Sequence, residues 1–263
     1  MDLSDAYAIS DHTPDAATYP PRWAAAALAF REALGARAVL AQPYGTGARH
    51  KFDLFLPEQT PRGVMVFVHG GYWKAFDRQD WSHLARGGVE AGWAVAMPGY
   101  DLCPDVRISQ ITRQVADAVA AAAGMIEGDL VLSGHSAGGH LVSRMCAPGM
   151  LPDTVRARLA RVVPISPLAD LEPLLQTSMN ETLMLDAVEA AAESPVRQPP
   201  PQGVDVTVWV GADERPALLD QARWLAQAWG AGHVVVPGTH HFDVIEALED
   251  PRSALMRLIT DQN

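Results

Sequence analysis

The chain has 263 residues, 48% of them hydrophobic and 19% charged, which suits a single globular domain over 1–263 with a core large enough to fold without staples. A formal net charge of -11, from 31 acidic against 20 basic residues, disfavours nucleic acid and anionic membrane surfaces as partners. Two cysteines far apart, Cys103 and Cys146, suggest neither a disulfide framework nor a thiolate metal site, as in a reducing cytoplasm. In chain order, residues 1–5 carry acidic groups where an export signal would carry basic ones, and the apolar stretch 24–30 is too short to span a bilayer. Strands are then expected over 38–41, 51–56 and 64–68, a helix over 79–90, a strand over 93–97, and a helix over 109–123. A strand over 130–132, a helix over 138–145 and a strand over 162–165 follow. The segment 167–202 breaks this rhythm: it contains a helical stretch over 181–193, ends in Pro199-Pro200-Pro201, and is expected to form a small cap excursion. A strand over 206–210, a helix over 216–229, a strand over 234–236 and a helix over 244–249 complete the pattern. Short, continuous, β-branched runs alternating with helices imply a doubly wound α/β architecture with a mostly parallel sheet of eight strands.

The chemistry gathers where strands end. Leu130-Val131-Leu132-Ser133 runs into Gly134-His135-Ser136-Ala137-Gly138-Gly139 and then a helix. That is the setting a Gly-x-Ser-x-Gly nucleophile elbow requires, with small residues flanking a serine on a strained turn. A serine hydroxyl attacks only when a base takes its proton and a carboxylate orients that base, in the chain order Ser, acid, His. Asp213 and Glu214 follow the run 206–210, and His240 and His241 follow the run 234–236, so one of each pair is expected to serve. Each residue alone is more often a solvated loop group; their joint arrival in the required order favours catalysis. Ala137 and the pair Gly70-Gly71, after the strand over 64–68, are the expected oxyanion-hole donors, because backbone N–H groups must approach a developing oxyanion without intervening side chains. His12, His50, His83 and His233 occupy no comparable position.

Taken together, His69-Gly70-Gly71-Tyr72-Trp73, Gly99-Tyr100-Asp101-Leu102-Cys103-Pro104, the elbow through Leu141 and the ending His241-Phe242-Asp243 resemble the arylformamidase (kynurenine formamidase) group of α/β-hydrolases. Hormone-sensitive-lipase-like esterases fit less well, since a third glycine would stand at Tyr72. The resemblance implies an α/β-hydrolase fold, His241 as the base, and Glu214, three residues after Gly211, as the acid. One departure is Ala217-Leu218, where the family often carries an acidic-aromatic pair. The implied reaction is hydrolysis of N-formylkynurenine to kynurenine and formate without a metal or organic cofactor. Tyr72 and Trp73 are then either an aromatic wall for the arylamine or core packing. The expected partner is a small-molecule acyl substrate, with a homodimer compatible with the chain. A carboxylesterase acting on small acyl esters, and a non-catalytic binding protein on the same scaffold, are the alternatives.

Overall fold

The computed structural model describes residues 2–260. Eight strands form one sheet in the order β1-β2-β4-β3-β5-β6-β7-β8. They are β1 (Ala38–Pro43), β2 (Lys51–Phe55), β3 (Gly63–Val68), β4 (Ala94–Pro98), β5 (Asp129–His135), β6 (Leu159–Ile165), β7 (Asp205–Gly211) and β8 (Gly232–Val236). Only β2 runs against its neighbours; from β4 to β8 every pairing is parallel. The inner strands read as unbroken apolar runs because both faces are covered. Val64, Val66 and Val68 enter the core on one side while Met65 and Phe67 enter the core on the other.

All eight expected strands are present, and the helix over 216–229 is found as Pro216–Trp229. Other elements differ. The stretch 79–90 is half 3-10 turn, Arg78–Ala85, before the short helix Arg86–Glu90, because the Asp77 carboxylate caps the turn at its start. The stretch 181–193 is two helices, Asn180–Leu183 and Ala187–Glu193, divided at Met184 with φ 53° and restarted by the Asp186 side chain, which accepts from the Glu189 N–H. The stretch 244–249 holds only the 3-10 turn Glu246–Glu249. A 16-residue helix, Tyr19–Leu34, was not anticipated, although Pro20 and Pro21 open it and Tyr19, Trp23, Ala27 and Phe30 bury one stripe. No helix among the described residues is long and apolar enough to cross a membrane.

Parallel register positions the site. Val68 lies opposite Gly134, His135 opposite Ile165, and Gly211 opposite Val236, so β3, β5, β6, β7 and β8 end along one edge of the sheet. β3 has β4 on one side and β5 on the other, and β3, β4 and β5 follow one another in the chain. The chain therefore reverses its direction of travel across the sheet at this point, where open α/β sheets leave a crevice for ligands beyond the strand ends.

Candidate active site

Each chemically active residue is the product of one strand's end. Ser136 follows β5 with φ 57° and ψ -117°, a conformation that L-residues avoid, and it opens the helix Ala137–Arg144. The turn closes only because its flanks lack side chains. A Cβ on Gly138 would lie 1.9 Å from the Val68 carbonyl oxygen, and one on Gly70 would lie 3.0 Å from the Ser136 Cβ. Gly138→Ala is therefore expected to lower the thermal midpoint sharply, with a cost of about 3 kcal/mol or more, because the obstacle is backbone and cannot rotate away. A variant as stable as the wild type in a thermal melt would show that the turn is looser than described.

Backbone strain is concentrated here. Besides Ser136, positive φ occurs at Tyr72 (49°), Trp73 (55°) and Phe76 (72°) in the loop after β3, and at Ser166 (47°) after β6. Such conformations cost on the order of 1–3 kcal/mol each and persist where surrounding structure over-determines them, as they do around ligand sites.

After β7, Glu214 is buried and fully committed. Its Oε2 accepts a 2.7 Å hydrogen bond from His241 Nδ1, and its Oε1 accepts from the Gly211 N–H at 3.0 Å and from the Ser166 hydroxyl. Asp213 beside it is exposed. His241 is buried, whereas His240 is partly exposed, pairs with Asp243 at 3.2 Å and meets the Tyr19 hydroxyl at 3.2 Å. Ser166 was not anticipated from sequence; the signal available was its place at the end of the run 162–165, like the other site residues.

Ser136 and His241 border one cavity of about 730 Å³. Gly71 and Tyr72 line it, as do Trp23, Phe76, Trp81 and Phe242. Trp73 does not: it is fully buried and meets the His140 ring edge-on at 5.0 Å, so of its two expected roles it has core packing. The aromatic lining comes instead from the Tyr19–Leu34 helix, the loop and turn after β3, and the residue after His241.

The other wall is the N-terminal segment, whose residues from Ile9 to Thr18 border the cavity on short 3-10 turns. It is tied down at several points. Tyr72 donates its hydroxyl to the Tyr7 carbonyl at 2.9 Å, Gln221 donates to the Tyr7 hydroxyl at 2.9 Å, and Arg215 pairs with Asp5 at 2.8 Å. No residue of 167–202 borders this cavity. That segment packs on the sheet's other face, where Arg107 holds Glu189 and Arg144 and Thr112 hold Glu193. At the mouth stand Asp11, Asp15 and Lys74, all exposed and none in an ion pair among the described residues. No group of three or more His, Cys, Asp or Glu among the described residues is arranged to hold a metal ion.

A family described by the alpha/beta hydrolase fold matches residues 65–241. The kynurenine formamidase of Salmo salar is 30% identical over 241 residues, covering 85% of this chain and 81% of that protein. That of Danio rerio is 30% identical over 233 residues, covering 82% and 79%. A crystal structure of a Silicibacter sp. TM1040 protein, described provisionally as a thioesterase, is 61% identical with a TM-score of 0.97 over 99% of both chains.

Proposed function

From the premise that the chain is a hydrolase of the α/β-hydrolase family, in its kynurenine-formamidase-like group, we propose that it cleaves N-formyl arylamines, N-formylkynurenine foremost, by a serine nucleophile. The observation that carries the reading is the cavity: Ser136 and His241 open onto a space bordered by Trp23, Phe76, Trp81 and Phe242, which suits an aryl leaving group. Its mouth presents charges of both signs, Lys74 against Asp11 and Asp15, which suits the amino-acid end of kynurenine.

In this reading His241 takes the Ser136 proton as Oγ attacks the formyl carbon, and Glu214 holds the imidazole in the tautomer whose Nε2 can accept. The N–H groups of Gly70, Gly71 and Ala137 receive the developing oxyanion, a term worth on the order of 3 kcal/mol per donor. Imidazolium His241 then returns the proton to the departing arylamine, breaking the C–N bond. Water, deprotonated by His241, attacks the formyl ester and releases formate and Ser136. Tyr72 braces the N-terminal wall through Tyr7 and borders the cavity.

The test is a panel of N-formylkynurenine, p-nitrophenyl acetate and a short acyl thioester, the last included because of the thioesterase description of the 61% identical protein. N-formylkynurenine is expected to show the highest kcat/KM. Equal or higher values for the ester would favour a general esterase, and for the thioester a thioesterase, provided a fluorophosphonate labels Ser136 in the same preparation.

A further inference from the structure

We infer that His135 reads the substrate: its imidazole hydrogen-bonds a carbonyl oxygen carried by the leaving group ortho to the atom that departs. The inference rests on the reading of Ser136 as nucleophile and of the cavity as an aryl site. His135 is only 3% exposed, yet neither of its ring nitrogens makes a hydrogen bond of normal geometry; its nearest polar neighbour, the His241 backbone, offsets only a small part of the effect of burial. His69 and His140 are not in this position, and in His83 only Nδ1 is a buried atom without a partner. His69 gives Nδ1 to the Gly70 carbonyl at 2.8 Å, and His140 gives Nε2 to the Glu193 carbonyl at 2.8 Å, leaving one nitrogen each. A neutral imidazole has one N–H and one lone pair, so an unmatched second nitrogen strands a donor as well as an acceptor, and a buried donor without a partner is the costly case.

The surroundings say where that partner comes from. His135 borders the cavity together with Ser136 and His241, with its ring centroid 4.4 Å from that of His241. A Cβ on Gly70 would sit 3.3 Å from His135 Nδ1, so this nitrogen runs alongside the oxyanion loop. Burial, and next the charge on His241, hold the His135 imidazole well below the ordinary histidine range, so it stays neutral while its neighbour cycles a proton. A group so placed does not compete with His241 as base; it offers an N–H within a side chain's breadth of the reacting carbon. Aryl formamides and aryl esters with an ortho carbonyl present an acceptor a few ångströms from the leaving nitrogen or oxygen, and N-formylkynurenine is one of them. A site built around such a hydrogen bond rejects substrates that lack it far more strongly than an apolar pocket does.

Isomer pairs test this, with the change in ortho-to-para ratio between wild type and His135→Phe as the readout because the isomers differ in leaving-group acidity: 2-acetyl- against 4-acetylformanilide, and 2-acetylphenyl against 4-acetylphenyl acetate. The ortho-to-para ratio of kcat/KM is expected to be higher in the wild type than in His135→Phe by roughly tenfold or more. The ratio is expected to fall in this way whatever happens to absolute rates. At least one of His135→Asn and His135→Gln, whose amides reach towards the positions of Nδ1 and Nε2, is expected to restore part of it. Fluorophosphonate labelling of Ser136 reports that the elbow is intact in each variant. An ortho-to-para ratio unchanged in His135→Phe in both pairs overturns the inference. If the ester pair discriminates but no formamide is turned over, the formamidase reading fails and the role of His135 stands. If formamides are turned over without discrimination, the reverse holds.

Discussion

Ser136→Ala is expected to reduce kcat for any acyl substrate by on the order of 10⁴–10⁶-fold, with p-nitrophenyl acetate as a convenient readout. Of the other hydroxyls that line the cavity, those of Thr13, Thr18 and Tyr72 are committed to the Ile9, Asp15 and Tyr7 carbonyls, and Ser10 is exposed on a 3-10 turn. The turn places this one side chain at the sheet edge, and the other lining groups near it, Gly71, Tyr72 and the histidines, are not poised as acyl acceptors. What survives is whatever the N–H groups and binding supply alone. The loss is chemical rather than structural, because alanine keeps the Cβ and the φ of 57° already imposed on serine, so the thermal midpoint is expected to stay close to that of the wild type. Fluorophosphonate labelling should disappear with the activity. Residual kcat above about one percent of wild type would place the nucleophile elsewhere.

The second large effect separates two adjacent carboxylates. Glu214→Gln is expected to lower kcat by on the order of 10³–10⁴-fold, the scale seen when a triad acid becomes an amide and the imidazole is held in the wrong tautomer. The amide has one acceptor atom where the carboxylate has two, and the pairing demands both: one oxygen for His241, the other for the Gly211 N–H and the Ser166 hydroxyl. An amide must turn its NH₂ towards one side and face a donor with a donor. Asp213→Asn is expected to change kcat by no more than about twofold, since that side chain is exposed and accepts no hydrogen bond from the site. Inverted results, with Asp213 indispensable and Glu214 replaceable, would mean that the loop after β7 rearranges during turnover.

What could be read beforehand follows from where each signal resides. The strands were legible because a sheet covered on both faces demands apolar runs such as Val64-Met65-Val66-Phe67-Val68, and few other structures do. Residues at strand ends were legible as a group because parallel strands bring all their ends to one edge; Ser136, Glu214 and His241 needed no contact map to be linked. The Tyr19–Leu34 helix was overlooked although its stripe is regular, since four consecutive alanines, 24–27, blur the contrast between its faces. The N-terminal wall was not legible. Its 3-10 turns have no period that resembles a strand or an α-helix, and its significance lies in hydrogen bonds to residues more than two hundred positions away. Tyr72 and Trp73 show the limit of adjacency. Consecutive residues in one strained loop end in different places, one at the cavity and one in the core.

That distant tethering bears on how the enzyme comes into being. The N-terminal wall leaves the ribosome long before the groups that seat it: Asp5 needs Arg215, 210 residues on, Tyr7 needs Gln221, 214 on, and Tyr19 needs His240, 221 on. At ~5–20 residues per second, the interval is roughly 10–40 s, during which none of these three contacts can form. Ser136 is made midway through that interval, without an acid or a base. In the proposed mechanism the growing chain thus carries an unarmed serine in an unwalled crevice until the loop after β8 has been synthesised and folded back.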